Sequence, residues 1–125
     1  MPITRATDPA IWELPGTQFR SLASPSRGGS AEVSVWRLVI DPGTEGPEHR
    51  LTGGEVFAPV AGAAEIRIAG NVETIGVGDA LVVPAHTNFS VSNPAGVAFE
   101  AIVCLPAGSQ AVIGDAEPFT PEWAS

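Results

Sequence analysis

The chain has 125 residues, of which 44% are hydrophobic, and a formal net charge of −8. A chain of this length makes one domain and buries roughly two-thirds of the surface its unfolded form exposes. All six cations are arginines and no two are adjacent. There is no basic patch to hold a phosphate backbone, so nucleic acid is not an expected partner, and no lysine for Schiff-base or pyridoxal chemistry.

The opening residues, "MPITRATDPAIWELPG", carry no apolar run behind a basic head, and so do not read as a secretory signal. No stretch approaches the ~18 apolar residues of a membrane span, and no membrane partner is expected. Cys104 is the only cysteine, which excludes an internal disulfide and agrees with a reducing, cytoplasmic setting.

In chain order, residues 1–30 read as an N-terminal arm laid on the main body. "SPSRGGS" is a flexible loop within it, and Trp12 and Phe19 are its anchors. The β pattern starts at residue 31: "AEVSVWRLVI" is β-branched and alternating, and "DPGTEGPEH" breaks it with prolines and glycines. "EVFAPVAG" and "AAEIRIAG" follow. In the second, Ala64, Ile66 and Ile68 share one face while Glu65 and Arg67 share the other, the period of a half-buried strand.

"GDALVVPA", "NFSVSN" and "GVAFEAIVCLP" complete the strands, with Pro59 marking an edge or bulge because it has no ladder donor. Asp79 and Asn93 are expected to close turns. The tail, residues 107–125, is rich in proline and acid, and its Phe119 and Trp123 are expected to pack outward on the body or on a second subunit. Short strands at this spacing, with no helical stripe, predict an all-β barrel or sandwich with its core in residues 31–106.

Two spaced motifs sharpen that expectation. The first runs Gly43, five residues, His49-Arg50-Leu51, three residues, Glu55, six residues, Gly62. The second runs Gly78, five residues, Pro84-Ala85-His86, two residues, Phe89, three residues, Asn93. Between them lie residues 63–77. This pattern resembles the two motifs of the cupins, single barrels of the double-stranded β-helix or jelly-roll type. The resemblance implies that fold over residues 31–106, and it implies a homodimer.

In the family the metal is held by two histidines and the glutamate of the first motif and the histidine of the second. Here Leu51 and Phe89 stand at two of those four places, and His86 stands at the second motif's glycine. Two protein ligands, His49 and Glu55, rarely hold a divalent ion, because such sites need three or more. A metal-free cavity is therefore expected, with a divalent transition metal the alternative if His86 or Glu100 supplies a third donor.

The resemblance points Glu55 into a cavity lined by Leu51, Phe57 and Phe89, with His86 and Glu100 as further candidates for its wall. Burial there should raise the Glu55 pKa unless His49 pairs with it. Three readings follow. His49 and Glu55 simply satisfy each other by a hydrogen bond in a ligand-binding module. Alternatively they form an acid/base pair in an isomerase or cyclase, or belong to a metal-dependent oxygenase or isomerase. A cavity filled by Leu51 and Phe89 would leave only an interaction role.

Of the remaining polar residues, Glu48 and Arg50 flank His49 with opposite parity and should face away from the cavity. Arg37 is expected in a surface ion pair, and Cys104 in packing rather than as a nucleophile.

Overall fold

In Val33–Ile40 every second residue is buried, so Ser34, Trp36, Leu38 and Ile40 face inward while Val35, Arg37 and Val39 face out. That alternation, repeated in neighbouring strands, builds the inner wall of a barrel. The computed structural model describes residues 2–125. The described strands are β1 (Ala10–Leu14), β2 (Thr17–Ala23), β3 (Val33–Ile40), β4 (Arg50–Leu51), β5 (Glu55–Ala61) and β6 (Ala63–Ile68). They continue as β7 (Asn71–Gly76), β8 (Leu81–Val83), β9 (Phe89–Ser92), β10 (Phe99–Pro106) and β11 (Ala111–Val112), with a 3-10 turn at Glu122–Ala124.

Six strands form one sheet in the order β1-β2-β3-β10-β5-β8, facing a second sheet β7-β6-β9 and the short pair β11-β4. All of the ladders between the described strands are antiparallel. The fold is the all-β jelly-roll sandwich expected from the motifs. Its core includes Ile66, Val83, Phe89, Phe99, Val103 and Leu105, each at most 2% exposed.

Landmark residues of both motifs have visible backbone reasons. Gly62 has φ +71°, and a Cβ there would meet the Ala98 carbonyl oxygen at 2.3 Å, so only glycine fits between β5 and β6. Asn93, fully buried, donates through Nδ2 to the carbonyls of Ile40 (2.9 Å) and Val97 (2.8 Å) and accepts from the Ala95 N–H (3.0 Å). It ties β9 to β3 and to the following turn. His86, at the second motif's glycine position, keeps a glycine-like φ of +62°. Pro59 sits where the β10–β5 register shifts between Glu100 and Ala101, a bulge that absorbs its missing N–H.

Two segments depart from the sequence reading. Residues 2–30 are more regular than an arm laid on the body: β1 and β2 make a hairpin that extends the large sheet, with Thr17–Ala23 laid along β3. The tail packs on the body, one of its two expected places, but over the barrel's end rather than on its outside. Trp123 stacks on Phe19 with ring centroids 3.6 Å apart, and Ser34 donates its hydroxyl to the Ala124 carbonyl at 2.6 Å. Both contacts fold the tail back over one end of the barrel.

Candidate functional site

That end of the barrel is open. A cavity of about 370 Å³ lies between the inner face of the large sheet, the β4–β11 pair and the returning tail. β3 contributes Trp36, Leu38 and Ile40, and β5 contributes Glu55 and Phe57, by the same alternation that makes them face inward. The tail and its lead-in add Ile113, Phe119, Pro121 and Trp123, and Phe19 comes from the hairpin. Such walls are almost wholly apolar, the usual character of a small-molecule site.

Of the expected residues, His49, Leu51, Glu55 and Phe57 come together in this cavity. Phe89 packs just behind it: its ring meets Phe57 edge-on at 5.9 Å and lies tilted against His49 at 4.5 Å. Phe89 and His49 also exchange backbone hydrogen bonds of 2.9 and 3.0 Å, which is how positions 40 residues apart become neighbours. Phe89 therefore fills the place of a metal-binding side chain without filling the cavity.

Two expected wall residues are placed elsewhere. His86 is exposed, its side chain carried out of the barrel by a left-handed turn whose N–H donates to the Leu51 carbonyl at 2.7 Å. Glu100 lies on the outer face of β10 and pairs with Arg37 of β3 at 3.2 Å, because its parity is opposite to that of Phe99 and Ala101. Neither is a third donor beside His49 and Glu55. Among the described residues no group of three or more His, Cys, Asp or Glu side chains is placed to hold an ion. With Leu51 and Phe89 at the other two positions, the donor set does not fit a resident divalent metal.

The hydrogen bond between His49 and Glu55 that one of the three readings supposed is not formed. Glu55 is 3% exposed, and its Oε1 is buried without a partner. Burial among apolar walls pushes its carboxyl up to about 8, so at neutral pH it is mainly a neutral acid able to donate. His49 turns away: its Nδ1 lies 3.0 Å from the Pro47 carbonyl and so carries the proton. Desolvation lowers its pKa against the opposing pull of that hydrogen bond, leaving a neutral imidazole with a basic Nε2.

Glu48 and Arg50 face away from the cavity, as their parity required. Arg50 reaches toward the Gly114 carbonyl at 3.5 Å. Cys104 is a half-buried free thiol on the outer face of β10. The inward parity of Trp36 and Leu38 was readable in "SVWRLV". Glu45 at the mouth, Ile113, Phe119 and Trp123 carried no such signal, because loop and tail residues reach the cavity only by tertiary contact.

The chain belongs to the cupin family: the sequence profile described as Cupin domain matches residues 36–105, more than half its length. No protein of curated function matches it in sequence. Among solved structures it is similar to the polyketide cyclase RemF from Streptomyces resistomycificus, at 18% identity and TM-score 0.80 over 98% of this chain and 88% of that one. It is also similar to an RmlC-like cupin from Shewanella frigidimarina, at 19% identity and TM-score 0.73 over 85% and 90% of the two chains. KdgF from a Halomonas species gives 20% identity and TM-score 0.70 over 83% and 92%. At such identities the likeness establishes the fold. Among the described residues, no helix is long and apolar enough to cross a membrane.

Proposed function

We propose that this cupin binds a small, largely apolar molecule in the cavity, without a resident metal, and that Glu55 is its main polar contact. The supporting observation is an open apolar cavity of about 370 Å³ with a buried, unpartnered carboxyl in its wall. A passive core carboxyl would be hydrogen-bonded by the protein, since an unmet buried polar atom costs roughly 1–3 kcal/mol. The test is a ligand-observed NMR screen of apolar fragments against the wild type and Ile113→Trp, which narrows the mouth at a 42% exposed position. Hits lost in the variant support the reading, and an absence of hits in both retires it.

A second reading is favoured by the Glu55 carboxyl being held near 8. A group that titrates close to working pH is suited to general acid/base catalysis, with the neutral His49 imidazole as a further base. RemF, of the same fold, is a polyketide cyclase, which is in keeping with proton transfer in such a barrel. Wash-in of solvent deuterium next to the carbonyl of a bound ketone, abolished by Glu55→Gln, distinguishes an enzyme from a binder.

The chain is also proposed to pair with a second copy through the outer face of the large sheet. Val56, Val60 and Val82 there are 38%, 42% and 65% exposed, and Val56 and Val82 stand directly opposite each other across β5 and β8. Sedimentation of the wild type against Val82→Lys tests this: a dimer that the variant converts to monomer is the expected result.

A further inference from the structure

The cavity's polar groups are few. Among the described residues, Glu45, His49 and Glu55 are its only titratable lining residues, and no arginine lines it. Most of the arginines are engaged elsewhere: Arg37 with Glu100 at 3.2 Å, Arg67 with Glu65 at 3.1 Å, and Arg27 with Asp8 at 3.7 Å. Arg20 donates to the Ala6 carbonyl at 2.8 Å. A carboxylate or phosphate entering the cavity would lose its water and meet two carboxyls and no cation, an uncompensated burial of charge.

An organic cation fares little better. Pairing it with Glu55 requires an ionised carboxylate whose Oε1 has no hydrogen-bond donor to hold the charge. A neutral acceptor asks for no buried charge at all. The walls add aromatic faces from Phe19, Trp36, Phe57, Phe119 and Trp123, which suit a flat ring system.

Building on the reading of this cavity as a ligand site, we propose that it selects neutral ring compounds bearing a carbonyl-type acceptor. The acceptor takes a hydrogen bond from the Glu55 carboxyl, and anions are excluded. The raised carboxyl pKa supports the donor role, but the selection follows from the lining itself: apolar walls, two buried unpartnered polar groups (the Glu55 carboxyl and the Trp123 indole N–H, both donors to an acceptor) and no arginine.

The test uses four probes with one ring system: 2-acetylnaphthalene, 2-ethylnaphthalene, 2-naphthoate and 2-naphthylmethylammonium. Dissociation constants are measured by calorimetry at pH 6.5 on the full chain. The ketone should bind roughly tenfold tighter than the hydrocarbon, the scale of one hydrogen bond, and at least as far ahead of both ions. Glu55→Leu should erase the ketone's advantage over 2-ethylnaphthalene, and Glu55→Gln, which keeps a donor, should retain most of it.

Naphthoate or the ammonium binding as tightly as the ketone overturns this inference and leaves the binding reading standing. So does a ketone no better than the hydrocarbon. Failure of all four to bind overturns the binding reading and this inference with it.

Discussion

Phe99 and Glu100 are consecutive residues of β10 with opposite fates. Phe99 is fully buried against the core, while Glu100 faces out to Arg37 with its side chain 31% exposed. Glu55, on the adjacent strand β5, makes the contrast sharper: it is a carboxyl on the inner face, where Glu100 is one on the outer. The same functional group is ordinary on one side of the sheet and chemically poised on the other. Parity in a strand, rather than residue type, decides which carboxyl can act on a ligand.

The largest expected effect tests the inner carboxyl. A folded pKa of about 8 against an unfolded 4.5 means the native state binds the extra proton between those values. Glu55 therefore favours folding fully below pH 4.5, and that contribution falls as pH rises, by an amount on the order of 5 kcal/mol by pH 8 if the full shift is realised. His49 works the other way: its lowered pKa makes the native state lose stability as pH drops below 6.5. Urea denaturation from pH 4.5 to 8.5, with Glu55→Gln as reference, isolates the Glu55 share. Parallel profiles for the two proteins would mean the carboxyl finds partners in solution.

Next comes the apolar side of the same contrast. Phe99→Ala empties a site that is 0% exposed, at a cost of about 3–5 kcal/mol, whereas Ile102→Ala on the outer face should cost under half as much. Equal losses in urea midpoints at constant m would mean that the outer face is also covered, which is what the proposed dimer requires.

How much of this could be read from the letters follows the same division. Period-two alternation and the landmarks Gly43, Gly62, Gly78, Pro84 and Asn93 specify the barrel, because each answers a local backbone demand. The cavity position of His49 and Glu55 was readable for the same reason. His86 and Glu100 were misplaced for different reasons: the left-handed turn at His86 has no signal in the letters, and Glu100 has the parity opposite to Phe99 and Ala101, which puts it on the outer face. Of the tail, the packing of its aromatics on the body was legible, but not where. Its position rests on Trp123 meeting Phe19 and on Ser24 and Ser34 hydroxyls donating to Ser125 and Ala124, contacts that span 90 to 104 residues.

Those long-range contacts are open to the next test. Trp123 is half-buried, so Trp123→Ala should cost about 2 kcal/mol, less than a fully buried aromatic. It should also widen the cavity on the side of the Phe19 ring. The variant is expected to accept a bulkier ring probe than the wild type, measured by calorimetry. Unchanged affinity for every probe size would mean that the tail covers the cavity without shaping it.

The smallest effect belongs to the outer carboxyl. Arg37 and Glu100 approach at 3.2 Å, but their side chains are 42% and 31% exposed, so water and salt screen the pair. A double-mutant cycle with Arg37→Ala and Glu100→Ala should give a coupling of about 0.5 kcal/mol that fades in 1 M salt. A coupling several times larger, and insensitive to salt, would mean that this face is desolvated in solution. The pair would then lie inside an interface between two copies, and the difference between the two faces of the sheet would be one of partner rather than of solvent.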